Sequence, residues 1–155
     1  MDQSDTIVFI SADHRGFELK NQLLPVFASL GVAVQDLGPV EYNPEDDFND
    51  AATIVCRKVL ENNTARGIII CGSAIGVAMQ ANRFKGIRAV AAYNTKLAEL
   101  SRTHEDANVL CLSADLVSGR DNVEIIKTFL GTMPLTDEKY LRRERKLDEI
   151  EIKEE

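Results

Sequence analysis

Short runs of apolar, β-branched residues alternate along the chain with longer stretches in which apolar residues recur at helical spacing. The short runs predict five strands: residues 6–10, 32–36, 67–71, 87–91 and 108–112. The longer stretches predict helices that follow them: residues 16–30, 47–61, 75–84, 95–104 and 118–130. The chain therefore repeats a strand followed by a helix five times.

Some strand candidates are apolar runs without alternation, as in residues 7–10 (IVFI) and 67–71 (GIIIC). A strand that is apolar on both faces is typical of a parallel sheet with helices on each side. We therefore predict an α/β fold, a three-layer α/β/α sandwich built on a five-stranded parallel Rossmann-like sheet. A sixth helix, predicted over residues 136–152, is heavily charged, and we expect it to pack on a partner subunit.

The composition indicates one globular domain over residues 1–155, with 45% apolar residues and a net charge of −7. A chain of this length buries roughly 70% of its unfolded surface, enough for a core without metals or disulfides. The apolar runs are shorter than the roughly 20 residues that a membrane helix needs, and the start of the chain is acidic, unlike a signal peptide. We expect a cytoplasmic protein with no membrane partner. The acidic balance also argues against nucleic acid as a partner.

The three cysteines, Cys56, Cys71 and Cys111, are widely spaced, form no Cys-x-x-Cys pair and have only two histidines to accompany them. This pattern argues against a metal site. We expect free thiols, with Cys56 and Cys111 acting as small buried apolar residues.

In an open parallel sheet, ligands bind outside the carboxyl ends of the strands. We call this side of the sheet the carboxyl edge. The segments predicted to lie there combine acids, a thiol and hydroxyls: residues 11–16, 38–50, 71–76, 93–94 and 113–115.

Cys71 ends a buried strand and is followed directly by Gly72-Ser73-Ala74-Ile75-Gly76 at the start of a helix. Unpaired backbone N–H groups at that place favour a thiolate, and together with Ser73 they could hold an oxyanion. A buried cysteine that only closes a Rossmann-like turn is the alternative, and the residues alone leave both open. The spacing matches neither the dinucleotide fingerprint nor a Walker A loop.

His14 and His104 are both predicted at loop or helix-end positions on the carboxyl edge, where they are candidates for chemistry or simply surface or capping residues. Asp13 could cap the first helix. Lys139 and Arg143 are four residues apart on the last helix and could grip one phosphate. The alternative is a solvated basic face.

Four motifs in order resemble the ribose-5-phosphate isomerase B family, which includes the galactose-6-phosphate isomerase subunits. The resemblance covers almost the whole chain, through ADHRGFELK, ICGSAIG with ANRFKGIRA, SRTHEDANVL and YLRRERKL. It implies a five-stranded parallel sheet and interconversion of aldose and ketose phosphates without a cofactor. It also implies a homodimer, or pairs of such dimers, in which the carboxyl-terminal helix helps to complete the partner's site.

The resemblance also implies roles for individual residues. Cys71 matches the base that moves a proton between C1 and C2, and Val77 stands where another branch of the family has a glutamate for this task. His104 matches the histidine that opens the sugar ring. The remaining matches are Asp13 and His14 for the sugar and its phosphate, Gly72, Ser73, Ala74, Ile75 and Gly76 for the enediolate, and Lys139 and Arg143 for the phosphate.

Several positions depart from the family pattern: Phe48 and Asn49 replace an aromatic hydroxyl and a proline, Ala74 a glycine, Glu105 an asparagine beside the substrate, Asp115 a phosphate-binding arginine, and Tyr140 a histidine. Arg15 is a candidate replacement for the missing arginine. We expect an isomerase of ribose 5-phosphate and ribulose 5-phosphate. A six-carbon sugar phosphate, such as galactose 6-phosphate or allose 6-phosphate, is a second expectation, and a sugar-phosphate-binding paralogue without turnover is a third.

Overall fold

The computed structural model describes residues 5–150. Its five strands are all parallel and lie in the order β2-β1-β3-β5-β4. Their bounds are β1 Ile7–Ala12, β2 Ala33–Asp36, β3 Arg66–Cys71, β4 Ala89–Ala91 and β5 Val109–Ser113. All five predicted strands are present, each shifted or trimmed by at most two residues.

Helices cover both faces of the sheet, which confirms the predicted three-layer α/β/α fold. Their bounds are α1 Phe17–Leu30, α2 Phe48–Leu60, α3 Ile75–Ala81, α4 Thr95–Glu105, α5 Gly119–Gly131 and α6 Glu138–Asp148. Leu23, Phe27 and Phe129 belong to the core between the sheet and the layer of α1, α4 and α5. Val55 and Val77 belong to the second core, under α2 and α3.

The last helix differs from the prediction of residues 136–152. It begins at Glu138, because Asp137 has extended backbone angles, and it ends at Asp148. The predicted residues 151 and 152 lie outside the described part of the chain. The helix packs against α4 of its own chain, and packing on a partner subunit stays a prediction. Within α6, no residue is buried.

A lysine inside the fold anchors the loop that follows β2. The Lys20 side chain is 1% exposed, and its Nζ lies 2.7 and 2.9 Å from the two carboxylate oxygens of Asp36. Asp36 also accepts a hydrogen bond from the Gly38 N–H at 2.8 Å, and the Gly38 carbonyl accepts the Ser11 hydroxyl at 2.9 Å. The loop therefore leaves the sheet at a fixed place beside the end of β1.

In residues 5–150, every helix is too short or too polar to cross a lipid bilayer. The same residues contain no cluster of histidine, cysteine and carboxylate side chains that could hold a metal ion.

Candidate active site

The turn after β3 forms the centre of the carboxyl edge. Cys71 ends the strand with 5% of its surface exposed, and its carbonyl accepts the N–H of Ala114 at 2.9 Å. The Gly72 carbonyl accepts the N–H of Asp115 at 3.0 Å and the hydroxyl of Ser113 at 2.6 Å. The segment that follows β5 therefore fixes the turn that carries the thiol.

Tyr93 fixes the same turn from the end of β4. Its hydroxyl donates to the Ser73 carbonyl at 2.7 Å, while the Ser73 hydroxyl accepts the N–H of Ile75 at 3.2 Å. Sequence reasoning placed Tyr93 on this edge without giving it a task. A hydroxyl-bearing aromatic residue directly after a strand was the signal that could have singled it out.

Ala74 adopts the left-handed backbone conformation, with φ of 67°, directly before α3. The Cβ atom of an L-residue crowds the backbone there, at a cost of roughly 1 kcal/mol relative to glycine. The family usually has a glycine at this position, where the same φ carries no such cost. The conformation directs the chain from β3 into the first turn of α3.

Two glycines allow close approach at this turn. A Cβ atom on Gly72 would lie 2.7 Å from the Arg15 Nε and from a carboxylate oxygen of Asp115. A Cβ atom on Gly76 would lie 3.0 Å from the Phe48 ring. Side chains of the β1 turn and of α2 therefore pack directly on the backbone that surrounds Cys71.

Asp13 lies at the end of β1, 5% exposed, and its carboxylate accepts the N–H groups of Arg15 and Gly16 at 3.0 and 3.1 Å. These bonds close the turn of residues 14–16 that leads into α1. The N-cap of α1 is Gly16, without a side-chain cap, so the prediction that Asp13 is the N-cap is wrong. Burial raises the pKa of Asp13, while the two N–H donors oppose that shift.

His14 follows Asp13 and is held by Asp46 from the loop before α2. One carboxylate oxygen of Asp46 lies 2.8 Å from the His14 Nδ1 and accepts the His14 backbone N–H at 2.9 Å. This hydrogen bond is the main reason why the pKa of His14 is raised above its ordinary value, and burial opposes it.

Arg15 forms an ion pair with Asp115, across the backbone of Gly72. The two side chains are 59% and 42% exposed, so the pair is open to solvent and to a ligand. Arg15 thus supplies a guanidinium beside the very residue that replaces the family's arginine. Asp115 neutralises much of that charge in the free protein.

His104 does not lie on the carboxyl edge, and that prediction is wrong. It belongs to the last turn of α4, which ends at Glu105 just before β5 begins at Val109. A helix that connects parallel strands runs back across the sheet, and 11 residues of helix span about 16 Å. His104 and Glu105 therefore lie at the amino edge, opposite Cys71.

The predicted phosphate ligands of α6 lie with His104. The His104 ring stacks on Tyr140, with the ring centroids 5.1 Å apart. Lys139 and Arg143 each lie over the Tyr140 ring, at 4.9 and 6.0 Å from its centroid. His104, Glu105 and Arg143 line an open cavity of about 470 Å³. We call His104, Lys139, Tyr140 and Arg143 the α4–α6 cluster.

Arg88 links the carboxyl-terminal ends of α4 and α6. Its guanidinium donates to both carboxylate oxygens of Asp148 at 3.0 Å and, through Nε, to the Glu105 carbonyl at 2.8 Å. It therefore ties the end of α6 to the end of α4. One chain holds two separate groups of candidate residues, one at each edge of its sheet.

Comparison with known proteins assigns the family. The sequence profile described as Ribose/Galactose Isomerase matches residues 8–150. The chain belongs to this family. In the ribose/galactose isomerase family, the probable ribose-5-phosphate isomerase B of Mycoplasma pneumoniae is 42% identical over 123 residues, which cover 79% of this chain and 81% of that protein.

A solved structure and a second relative extend the comparison. The crystal structure of ribose-5-phosphate isomerase B from Mycoplasma genitalium with bound ribulose-5-phosphate superposes with a TM-score of 0.88 at 36% identity, covering 93% of this chain and 95% of that one. A 4-deoxy-4-sulfo-D-erythrose isomerase from a Clostridium species is 34% identical over 125 residues, which cover 81% and 79% of the two chains. The family thus includes isomerases named for different sugars.

Proposed function

We propose that this protein interconverts ribose 5-phosphate and ribulose 5-phosphate, as a homodimer whose two active sites are each shared between the chains. The observation that carries the proposal is the placement of Cys71 and His104 at opposite edges of one sheet, in a chain of the ribose/galactose isomerase family. If both residues act on one sugar, a second copy must supply the α4–α6 cluster. Cytoplasmic sugar metabolism, including the pentose phosphate pathway, is the proposed setting.

The thiol of Cys71 is the proposed base. As a thiolate it takes the proton from C2 of the open-chain aldose, which leaves an enediolate, and it returns that proton to C1 of the ketose. The hydroxyl proton moves from O2 to O1 in the same exchange. The turn of Gly72 to Gly76 presents backbone N–H groups and the Ser73 hydroxyl beside the thiol, where they stabilise the charged oxygens.

His104 of the second copy is the proposed group for ring opening. Its ring nitrogens take the proton of the anomeric hydroxyl and return a proton to the ring oxygen, so that the linear aldehyde reaches the thiolate. Stacking on Tyr140 supports this role, because it fixes the plane of the imidazole.

Cations from both chains are proposed to bind the phosphate. Lys139 and Arg143 come with His104 from one chain, and His14 and Arg15 come from the other. Four cationic side chains fit a dianionic group, since hydrogen bonds between charged partners are the stronger kind. In the free protein Arg15 is paired with Asp115. When a phosphate binds to Arg15, Asp115 still contacts the guanidinium and keeps its orientation.

A six-carbon sugar phosphate is the second candidate substrate. Phe48 packs on Gly76 without the hydroxyl that the family pattern has at this position, which leaves one hydrogen-bonding group fewer near the sugar. A binding protein without turnover is the third candidate, suggested by Glu105 and Asp115 in place of uncharged and cationic residues.

One assay separates the three candidates. Purified protein is incubated with ribose 5-phosphate, galactose 6-phosphate or allose 6-phosphate, and ketose formation is followed. We expect turnover of ribose 5-phosphate and loss of it by orders of magnitude in Cys71→Ser, because a hydroxyl is a far weaker base than a thiolate. Faster turnover of a six-carbon sugar phosphate would favour the second candidate function. Binding without ketose formation would favour the third and contradict the proposed isomerase activity.

A further inference from the structure

The loop of residues 37–47 reaches across the carboxyl edge and delivers one carboxylate to the β1 turn. The start of the loop is fixed by the contacts of Gly38 with Ser11 and Asp36. Near its end, the Asn43 side chain accepts the N–H of Glu45 at 3.0 Å and so stabilises an internal turn. Asp46 then stands against His14, 32 residues away in the sequence. Both ends of the loop are therefore anchored before α2 begins.

The geometry between the two residues constrains the imidazole. A single oxygen of Asp46 accepts the His14 backbone N–H and faces Nδ1 at 2.8 Å. The Asp46 side chain is 19% exposed and the His14 side chain 29%, so both are mostly buried but remain partly accessible to solvent. Because an ionised carboxylate only accepts hydrogen bonds, Nδ1 must carry a proton.

The opposite nitrogen is available to a ligand. No residue in the range 5–150 forms a hydrogen bond with Nε2 of His14. His14 and Arg15 line an open depression of about 730 Å³ together with Phe17, Glu18 and Tyr42. The two cationic groups therefore border the same space.

We propose that Asp46 is a positioning residue, which accepts the Nδ1–H of the His14 imidazolium and turns its Nε2–H toward the phosphorylated ligand. The inference rests on the proposed function for the nature of that ligand. Once the imidazolium loses a proton, the same hydrogen bond keeps the remaining proton on Nδ1, whereas histidine in water prefers it on Nε2. Asp46 acts through His14 and does not touch the substrate itself.

The charged groups around His14 agree with this role. Asp13 and Asp46 both favour its protonated form, while Arg15 disfavours it and is itself neutralised by Asp115. Glu18 borders the same depression from α1. A carboxylate that served only to close the loop would not need to meet the imidazole at hydrogen-bond distance.

The test uses nitrogen NMR of the two histidines and the dissociation constant for ribulose 5-phosphate, in the full-length protein. The chain has only His14 and His104, so a His14→Asn variant assigns the signals. Above the pH at which the imidazole titrates, we expect the Nδ1–H tautomer in the wild type and a shift to Nε2–H in Asp46→Ala. The same variant should bind ribulose 5-phosphate about tenfold more weakly, as expected when one charge-assisted contact is misaligned.

Two further variants keep the test decisive. Asp46→Asn retains an accepting oxygen and should keep the Nδ1–H tautomer and part of the affinity, even if Asp46→Ala folds poorly. Asp47→Ala is the matched control, because the neighbouring carboxylate makes no side-chain hydrogen bond at the start of α2, and it should resemble the wild type.

An unchanged tautomer in Asp46→Ala, or unchanged affinity despite a changed tautomer, would overturn the inference. A wild-type protein that binds ribulose 5-phosphate without isomerising it would instead defeat the proposed reaction. In that event the tautomer and the affinity still decide the role of Asp46.

Discussion

The imidazole of His104 lies nearly parallel to the ring of Tyr140, with 11° between the planes and 5.1 Å between the centroids. The two residues come from α4 and α6, and the segment before α6 is also held to α4, because the Leu135 N–H donates to the Thr103 carbonyl at 3.0 Å. Within residues 5–150 the imidazole nitrogens of His104 form no hydrogen bond, so the edge of the ring is open for the proposed contact with a sugar. Through Tyr140, helix α6 therefore contacts the imidazole of His104 directly.

Removing the stacking ring should slow catalysis more than binding. We expect Tyr140→Ala to lower kcat about fivefold to tenfold, since an aromatic pair contributes about 0.5–1.5 kcal/mol beyond its buried area. Tyr140→Phe keeps the stack and should stay within about twofold of the wild type. Steady-state kinetics with ribose 5-phosphate gives both values, and an equal loss in the two variants would show that the hydroxyl matters instead.

Thiol labelling should single out Cys71. Burial raises the pKa of Cys56 to about 12 and that of Cys111 well above its ordinary value, so both remain protonated and unreactive at neutral pH. Both are also inaccessible, whereas Cys71 is 5% exposed. Mass spectrometry after iodoacetamide should find Cys71 modified first and protected by ribulose 5-phosphate. Labelling of Cys56 at the same rate would contradict this order.

Sites shared between chains predict complementation. Cys71→Ala and Arg143→Ala chains, each inactive alone, are mixed under conditions that allow subunit exchange. The mixed dimer then carries both lesions in one site and none in the other, so a random mixture should regain about a quarter of the wild-type activity.

Arg142→Ala provides the control for that experiment. Arg142 is exposed on the same helix and has no ion pair in residues 5–150, so this variant should be active without mixing. No recovery after confirmed exchange of Cys71→Ala and Arg143→Ala chains would mean that the two residues serve the same site in one chain.

The pH dependence of binding should report His14. The hydrogen bond with Asp46 raises the pKa of His14 above 6.5, so its imidazolium attracts a phosphate below that raised pKa and the attraction fades as the pH rises through it. Sugar phosphates are already dianionic above a pKa of about 6, so the region from neutral to alkaline pH isolates the histidine.

The comparison variant for this prediction is Asp46→Asn. Without the carboxylate the pKa of His14 falls, and the loss of affinity for ribulose 5-phosphate should begin at a lower pH than in the wild type. Calorimetric titrations at several pH values measure this shift, with His14→Asn as a reference that lacks the transition. Identical pH profiles for the wild type and Asp46→Asn would show that the Asp46 carboxylate does not influence phosphate binding through His14.

Replacing Asp36 should lower the free energy of unfolding more than replacing its partner Lys20. Lys20 is buried, so Asp36→Asn leaves an ammonium without a counter-charge and should lower the free energy of unfolding by about 3 kcal/mol. Lys20→Met fills the same space without charge and leaves Asp36, 31% exposed, in contact with water, so it should cost less than about 1 kcal/mol. Urea unfolding compares them, and similar losses would show that the ammonium reaches solvent.

The sheet could be predicted from the sequence because its central strands, β1, β3 and β5, are mostly apolar and buried. The apolar run of residues 67–71 predicted a strand, and the observed β3, Arg66–Cys71, differs by one residue. The shorter β4 was harder to delimit, because Arg88 precedes it with its N–H bonded to the Asn108 side chain instead of a neighbouring strand. The turn of Cys71 followed from its place at the end of a strand.

The candidate site was only partly predictable. The error over His104 came from its closeness to β5 in the sequence, although the last turn of a returning helix always lies at the opposite edge. The contacts of His14 with Asp46 and of Arg15 with Asp115 span 32 and 100 residues. No local pattern encodes such contacts, because they depend on how separate turns approach each other in space.

The ion pair across Gly72 also restricts how this site can evolve. A single change of Asp115 to arginine would set two guanidinium groups against each other, and a change of Arg15 alone would leave an unopposed carboxylate facing an anionic substrate. Either step by itself passes through a poorer version of the proposed phosphate site, so we expect the two positions to change together. In other chains of the family, we therefore expect the residue at the position of Asp115 to be best interpreted together with the residue at the position of Arg15.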